Sequence, residues 1–227
     1  WGRDDLAAAV AAGPDAILLP KVESAATVAR AAGLMTEAGA APEMGIWCMM
    51  ETPRGILHAE EIADAGGRLQ CFVMGTSDLT KDLQARHTPE RAPMLTGLSL
   101  CLLAARANRL SILDGVHLEL QDDEGFRAAC EQGLALGFDG KTLIHPKQVV
   151  ACNEVFGPTQ DEVAYSKKII EAFAEATAEG KAVVVVDGRL IENLHVANAE
   201  RLVALAEAIE ALTRESEAVE KRTEDGN

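Results

Sequence analysis

The sequence is short of positive charge, of aromatic residues and of long hydrophobic runs. Its 21 lysine and arginine residues are outnumbered by 36 aspartates and glutamates, which gives a formal net charge of −15 over 227 residues. So acidic a surface repels a phosphate backbone and argues against a nucleic-acid partner. No apolar run approaches the length that crosses a bilayer and no signal peptide is visible, so we expect no membrane partner and a cytoplasmic location.

Paired cysteines and several familiar catalytic motifs are absent as well. The five cysteines are scattered without a CxxC pair, which favours reduced thiols in the core over a disulfide framework or a zinc site. The sequence contains no P-loop, no GxGxxG stretch and no GxSxG elbow, so nothing in it predicts those nucleotide-binding or serine-hydrolase sites.

What the sequence does contain is an alternation of short apolar runs with longer helical patterns. This alternation predicts βαβ units around a parallel sheet, with strands covered on both faces. The predicted strands are Asp15–Pro20, Gly45–Met50, Leu69–Met74, Ile112–Leu120 and Lys141–Ile144, and the predicted helices cover residues 24–38, 58–65, 90–109 and 123–136.

The pattern changes after residue 157. Thr159 and Glu162 have the spacing of a capping box, and the helix that they introduce is predicted to end near Ala178. An apolar run at Val183–Val186 is followed by a second helical pattern from Leu194 to about residue 218. We therefore expect an α/β body over residues 1–157 and a helical C-terminal extension over residues 158–227.

Two carboxylates follow neighbouring predicted strands. Glu51 comes directly after Gly45–Met50, and Asp78 lies four residues beyond Leu69–Met74. Because the carboxyl ends of parallel strands open onto one mouth, these side chains are expected to converge. Two carboxylates suit Mg²⁺, which binds oxygen ligands and keeps several waters. The turn at Gly75, Thr76 and Ser77 would also offer backbone N–H groups to an anionic oxygen.

An alternative without a metal stays open at this point. Glu51 could pair with Arg54 and Asp78 could cap the helix that follows it, and from the residues alone this alternative is ahead of a metal site. Lys21 and Glu23, which follow the first predicted strand, are expected to pair with each other.

Five stretches of the sequence, in this order, resemble the citrate lyase β-subunit-like acyl-CoA lyases of the HpcH/HpaI aldolase superfamily: ILLPKVES, METPRG, GTSDLTKDL, LDGVHLELQDDEGF and GFDGKTLIHPKQV. The resemblance covers about residues 1 to 212 and is strongest to the malyl-CoA lyase and (3S)-malyl-CoA thioesterase branch. It implies a (β/α)8 TIM barrel, a Mg²⁺ site and a CoA-thioester substrate. It places the magnesium ligands at Glu51 and Asp78, and His145 near the CoA arm.

The same resemblance raises the question of what precedes Trp1. A complete barrel of this family has three strands before the DAILLP strand, with an aspartate-rich motif and two substrate-binding arginines, and these are not in the sequence. We expect that the chain is a fragment or that these elements are supplied elsewhere, because five strands cannot close a barrel. The chain alone is not expected to be active.

The extension carries the second departure from the family. In the lyases of this family, the extension carries an aspartate in an Ile-Asp motif. This aspartate reaches the active site of a neighbouring subunit and is the acid/base group there. Here the motif is Ile191-Glu192, so Glu192 is the expected catalytic carboxylate, with an ordinary helix-terminal carboxylate as the alternative. A cross-subunit residue implies a homo-oligomer, and we expect a trimer or a hexamer.

The predicted function is therefore that of a Mg²⁺-dependent lyase or thioesterase acting on a β-hydroxyacyl-CoA such as malyl-CoA. Two alternatives remain. One is an aldolase that uses pyruvate without CoA, against which the Ile191-Glu192 motif argues. The other is a non-catalytic subunit of a larger complex, which the missing strands keep open.

Overall fold

A computed structural model describes the backbone of residues 2–225 and the side chains of residues 2–216 and 218, so that Trp1 lies outside the described residues. The chain divides into two units, one that ends at Phe156 and one that begins at Gly157, and each is described by itself.

The first unit alternates strands and helices. Its strands are β1 (Ala16–Leu19), β2 (Gly45–Met50), β3 (Leu69–Met74), β4 (Ser111–Asp114) and β5 (Gly140–Lys141). Its helices are α1 (Gly2–Ala11), α2 (Ala25–Glu37), α3 (Pro53–Leu57), α4 (Ala59–Ala63), α5 (Thr76–Asp82), α6 (Leu95–Ala107), α7 (Asp123–Leu136) and α8 (Gln148–Phe156), with a 3₁₀ turn at Ala92–Met94.

The five strands form one parallel sheet in chain order, with β1 and β5 at its edges. A doubly wound sheet would reverse its strand order at a switch point, whereas the strands of a (β/α)8 barrel follow one another around the axis. Neighbouring strands in chain order, each followed by helix, therefore have the topology of part of such a barrel.

The core lies between the sheet and its helices. Ile46, Cys48 and Met50 of β2 are completely buried. Helix α2 begins at Ser24, whose hydroxyl accepts a hydrogen bond from the Thr27 N–H, and it buries an apolar stripe that includes Val28 and Met35. Burial of each large apolar side chain stabilises the fold by about 1.5–3 kcal/mol.

Several predicted boundaries were wrong. Strand β4 ends at Asp114 and β5 at Lys141, whereas the apolar patterns predicted strands to Leu120 and Ile144. These two side chains form an ion pair where the strands end. The predicted helix over residues 58–65 is instead α3 and α4, which meet at His58. The pattern did not reveal α1 or α8.

The second unit is a helix, a β-hairpin and a helix: α9 (Gln160–Ala178), β6 (Val184–Val186), β7 (Arg189–Ile191) and α10 (Asn193–Asp225). The predicted capping box at the start of α9 is present. Asp187 and Gly188 both have positive φ, as a two-residue hairpin turn requires. Over residues 2–225, no helix is long and apolar enough to cross a membrane.

Candidate active site

Glu51 directly follows β2 and is nearly buried, with 7% of its surface exposed. Its Oε1 accepts a hydrogen bond of 2.9 Å from the backbone N–H of Lys21. Gly75 lies against it so closely that a Cβ at residue 75 would lie 2.3 Å from the Glu51 Cβ and 2.7 Å from Oε2. Because glycine has no Cβ, it leaves room for the Glu51 carboxylate at the end of the sheet.

Asp78 lies in the first turn of α5, just beyond β3. Its Oδ1 accepts hydrogen bonds from the ammonium groups of Lys21, at 3.0 Å, and Lys81, at 3.2 Å. The hydrogen bond from Lys21 is the main reason that the pKa of Asp78 is lowered. The same contact raises the pKa of Lys21. Asp78 is therefore an ionised and accessible carboxylate.

Lys21 joins the two predicted metal ligands, because its N–H contacts Glu51 and its ammonium contacts Asp78. The predicted pair between Lys21 and Glu23 was wrong, since Lys21 is taken up by these longer-range contacts. The backbone carbonyl of Glu23 instead lies 2.8 Å from Nδ1 of His58.

The alternative without a metal required a pair between Glu51 and Arg54 and a helix cap by Asp78, and neither contact is found among the described residues. Among them, no hydrogen bond or ion pair joins Glu51 to Arg54. Helix α5 has no side-chain cap at its first residue either, and Asp78 contacts lysines instead.

The two carboxylates fit a magnesium ion better than a softer metal. Within the described part of the chain, Oε2 of Glu51 and Oδ2 of Asp78 make no hydrogen bond, so each side chain keeps one oxygen for a cation. No group of three or more His, Cys, Asp or Glu side chains that could hold a metal is found over the same residues. Mg²⁺ needs only one or two protein carboxylates, because water and substrate oxygens complete its octahedron.

The residues predicted to hold the substrate lie at different places in the first unit. Gly75 donates its N–H to the carbonyl of Met50 at 3.0 Å, so its contribution is the space that it leaves for Glu51. Thr76 is buried and Ser77 exposed in the first turn of α5. His145 is exposed beyond β5, where its Nδ1 accepts the N–H of Lys147. Substrate contacts by Thr76, Ser77 and His145 stay a prediction.

A second carboxylate at the end of the sheet is held in a buried ion cluster that the sequence did not reveal. Asp114 is fully buried, and both of its oxygens lie 2.7 Å from Nη1 of Arg91. The ammonium of Lys141 lies 2.9 Å from its Oδ2. Arg91 lies on a loop outside any strand end, and its only sequence signal is a charge just before an apolar helix.

Glu192 belongs to the second unit, immediately before α10. Its backbone N–H donates to Nδ1 of His195 at 3.0 Å, and its carbonyl accepts the N–H of His195 at 2.9 Å. The His195 side chain therefore accepts the N–H at the start of α10, as the glutamate side chain does in one half of a capping box. The residue itself is exposed.

The family was decided by comparison with known proteins. Residues 1–146 match the family model described as HpcH/HpaI aldolase/citrate lyase. The chain belongs to this family. The predicted family and the predicted barrel class are thereby confirmed, and the match covers nearly the whole first unit.

Three relatives indicate where in the family the chain lies. A (3S)-malyl-CoA thioesterase of Cereibacter sphaeroides (strain ATCC 17025 / ATH 2.4.3) is 50% identical over 211 residues, which are 93% of this chain and 72% of that protein. The citrate lyase subunit beta of Leuconostoc mesenteroides subsp. cremoris is 34% identical, with 96% and 74% covered. The structure of CitE from Mycobacterium tuberculosis in complex with magnesium, acetoacetate and coenzyme A has a TM-score of 0.66 and 28% identity, covering 85% of this chain and 68% of that one.

Proposed function

We propose that the chain acts as a Mg²⁺-dependent acyl-CoA lyase/thioesterase on a β-hydroxyacyl-CoA such as malyl-CoA. The observation that carries this proposal is the pair Glu51 and Asp78, which are joined through Lys21 and keep one oxygen each for a cation. It is supported by 50% identity to a (3S)-malyl-CoA thioesterase and by the magnesium and coenzyme A bound in the CitE relative.

In this proposal Glu51 and Asp78 are the residues that hold Mg²⁺. When bound there, the ion supplies a Lewis acid for substrate oxygens, such as a hydroxyl and a neighbouring carboxylate. Lys21 fixes one oxygen of Glu51 through its backbone N–H and so keeps the other oxygen directed away from that contact. The near burial of Glu51 strengthens its interaction with a cation compared with the same group in water.

Two reactions are open to a substrate held in this way. In cleavage, the β-hydroxyl loses a proton, the bond between the α and β carbons breaks, and its electron pair passes to the thioester part, which is then protonated. The products are acetyl-CoA and glyoxylate when the substrate is malyl-CoA. In hydrolysis, water adds to the thioester carbonyl, the carbon–sulfur bond breaks, and CoA leaves as the thiol.

Glu192 is the proposed proton-transfer group, acting on the site of a neighbouring copy in a homo-oligomer, a trimer or a hexamer. Its exposure and its fixed backbone at the start of α10 support this role. Because glutamate is one methylene longer than aspartate, Glu192→Asp is expected to change the ratio of cleavage to hydrolysis. An unchanged ratio would remove Glu192 from the mechanism.

The activity is tested by incubating the complete protein with malyl-CoA, with and without Mg²⁺, and following glyoxylate and free thiol together. We expect at least one product to form only with Mg²⁺. Glu51→Gln and Asp78→Asn should each lower the rate by about a hundredfold or more, as for loss of a main electrostatic contact. Asp82→Asn is the matched control, because Asp82 lies in the same helix as Asp78 but, among the described residues, forms an ion pair only with Lys81. Equal activity of all three variants would overturn the proposal.

A further inference from the structure

Lys21 has an unusual backbone for a residue with a side chain. It follows β1 by two residues, and its φ is +49°. This left-handed conformation is disfavoured for a lysine, because the Cβ approaches the backbone, and it persists where the surrounding structure imposes it. The next residue, Val22, is fully buried, and its N–H approaches the carbonyl of Met49 at 3.4 Å. The turn that carries Lys21 is therefore anchored to β2 on one side and to the core on the other.

The anchored turn brings both ends of Lys21 to the two predicted metal ligands. Its N–H lies 2.9 Å from Oε1 of Glu51 and its Nζ lies 3.0 Å from Oδ1 of Asp78. Asp78 is 57 residues further along the chain, so the contact depends on the fold and not on local sequence. Lys21 thus contacts both ligands, Glu51 through its backbone N–H and Asp78 through its ammonium.

Lys81 offers a contrast within the same site. It also contacts Oδ1 of Asp78, at 3.2 Å, but it has a second partner in Asp82 and makes no contact with Glu51 among the described residues. The side chains of Lys21 and Asp78 are 54% and 39% exposed. An ion pair that exposed is weak and exchanges easily with solvent or with another cation.

We propose that Lys21 is a positioning residue whose ammonium is the counter-ion of Asp78 in the metal-free chain and leaves that carboxylate when a divalent cation binds. This inference rests on the proposed function, since it takes Glu51 and Asp78 as the metal ligands. The strained turn holds the ammonium close to the site, so that the Asp78 side chain is oriented before the metal arrives. Metal binding then exchanges one cation for another at Asp78, so that this carboxylate has a positive partner at both stages.

If the Lys21 ammonium and Mg²⁺ compete for Asp78, removing the ammonium should increase the affinity for Mg²⁺. Lys21→Met removes the competing charge, so Mg²⁺ should bind about fivefold more tightly, a size that matches the loss of an exposed ion pair. Lys81→Met removes a charge from the same oxygen, but that charge is shared with Asp82, so it should change the affinity by less than half as much on a logarithmic scale. Lys21→Arg keeps the charge and should bind Mg²⁺ as the unsubstituted chain does.

The measurement is the dissociation constant for Mg²⁺ by isothermal titration calorimetry at low ionic strength, repeated with added sodium chloride. Salt screens exposed charges, so the difference between Lys21→Met and the unsubstituted chain should shrink as salt is added. Should Lys21→Met fold poorly, Lys21→Gly removes the same ammonium and suits the positive φ. Circular dichroism of each variant checks the fold.

The outcomes separate this inference from the function on which it rests. If the unsubstituted chain binds Mg²⁺ through Glu51 and Asp78, but Lys21→Met and Lys21→Gly bind it equally or more weakly than the unsubstituted chain, only the role of Lys21 is overturned. If Lys21→Met and Lys81→Met increased the affinity for Mg²⁺ equally, the role of Lys21 would also be overturned, because the effect would not depend on which lysine is removed. If the unsubstituted chain binds no Mg²⁺, the metal site and the inference built on it fall together.

Discussion

Asp78 and Asp114 lie beyond neighbouring strands of one sheet, but their surroundings are opposite. The side chain of Asp78 is 39% exposed and shares one oxygen between two exposed lysines. The side chain of Asp114 is fully buried between Arg91 and Lys141, and its Oδ1 also accepts the N–H of Gly115 at 2.8 Å. The first carboxylate can exchange its partners with solvent, whereas the second cannot leave its partners without breaking the core.

The difference between Asp78 and Asp114 indicates how the role of a carboxylate at the end of a parallel strand can be inferred from its burial and its partners. By their positions at strand ends, both residues are candidate metal ligands. A buried carboxylate whose charge is fully paired, however, has a structural role. A charge that is accessible and paired through exposed lysines remains free to bind a cation. We therefore propose the metal site at Asp78 and Glu51, whereas the cluster around Asp114 joins the ends of β4 and β5.

The largest expected effect is on stability, at the buried cluster. Asp114→Asn leaves the charges of Arg91 and Lys141 buried without a counter-ion, so the free energy of unfolding should fall by about 3–5 kcal/mol. Asp78→Asn breaks exposed pairs and should lower the free energy of unfolding far less. Urea unfolding followed by circular dichroism measures both. An equal decrease in the free energy of unfolding for Asp114→Asn and Asp78→Asn would contradict the different roles of the two carboxylates.

A smaller effect is expected at two glycines that lie beside the two regions. A Cβ at Gly75 would collide with the Glu51 side chain, so Gly75→Ala should displace Glu51 and weaken Mg²⁺ binding by about tenfold or more. A Cβ at Gly115 would lie 2.8 Å from the backbone carbonyl of Met74. Gly115→Ala should therefore mainly lower the free energy of unfolding, by about 1–3 kcal/mol.

Calorimetric titration with Mg²⁺ and urea unfolding of both glycine variants test this division. The comparison would be contradicted if Gly75→Ala bound Mg²⁺ normally while Gly115→Ala lost the metal.

The smallest effect is a pH dependence at the exposed carboxylate. Its contact with Lys21 lowers the pKa of Asp78 in the folded chain, so the contribution of Asp78 to stability is present above the ordinary aspartate pKa. That contribution is lost as the pH falls through the lowered value. The small difference in unfolding free energy between the unsubstituted chain and Asp78→Asn should therefore be constant near neutral pH and shrink as the pH falls from about 4 through the lowered pKa. A difference that grows on acidification would contradict the ion pair.

Periodicity and turn chemistry were sufficient for much of the fold. The predicted strands Gly45–Met50 and Leu69–Met74 and the predicted helix at residues 123–136 have the bounds that the structure gives them. These segments are apolar or amphipathic over their whole length and end at turn or capping residues, so local sequence determines them. The predicted end of β4 at Leu120 failed, because the ion cluster that ends this strand at Asp114 brings together residues distant in sequence.

The candidate site was predictable in part. Glu51 and Asp78 follow strands, and the order of parallel strands brings such residues to one edge, so the sequence could point to them. The partners of Lys21 could not be predicted, because a short-range pair with Glu23 satisfies the same charges and only the backbone conformation at Lys21 excludes it. Arg91 was missed for a similar reason, since its φ of +54° and its contact with Asp114 arise from tertiary structure.

The central claim is that Glu51 and Asp78 together bind one divalent cation. Titration with Mn²⁺, an ion that takes the same oxygen ligands and is observed by electron paramagnetic resonance, tests it most directly. The account predicts one bound Mn²⁺ per chain that Mg²⁺ displaces, with binding lost in Glu51→Gln and in Asp78→Asn and kept in Asp82→Asn. Binding that survives in both of the first two variants, or that is lost equally in all three, would contradict it.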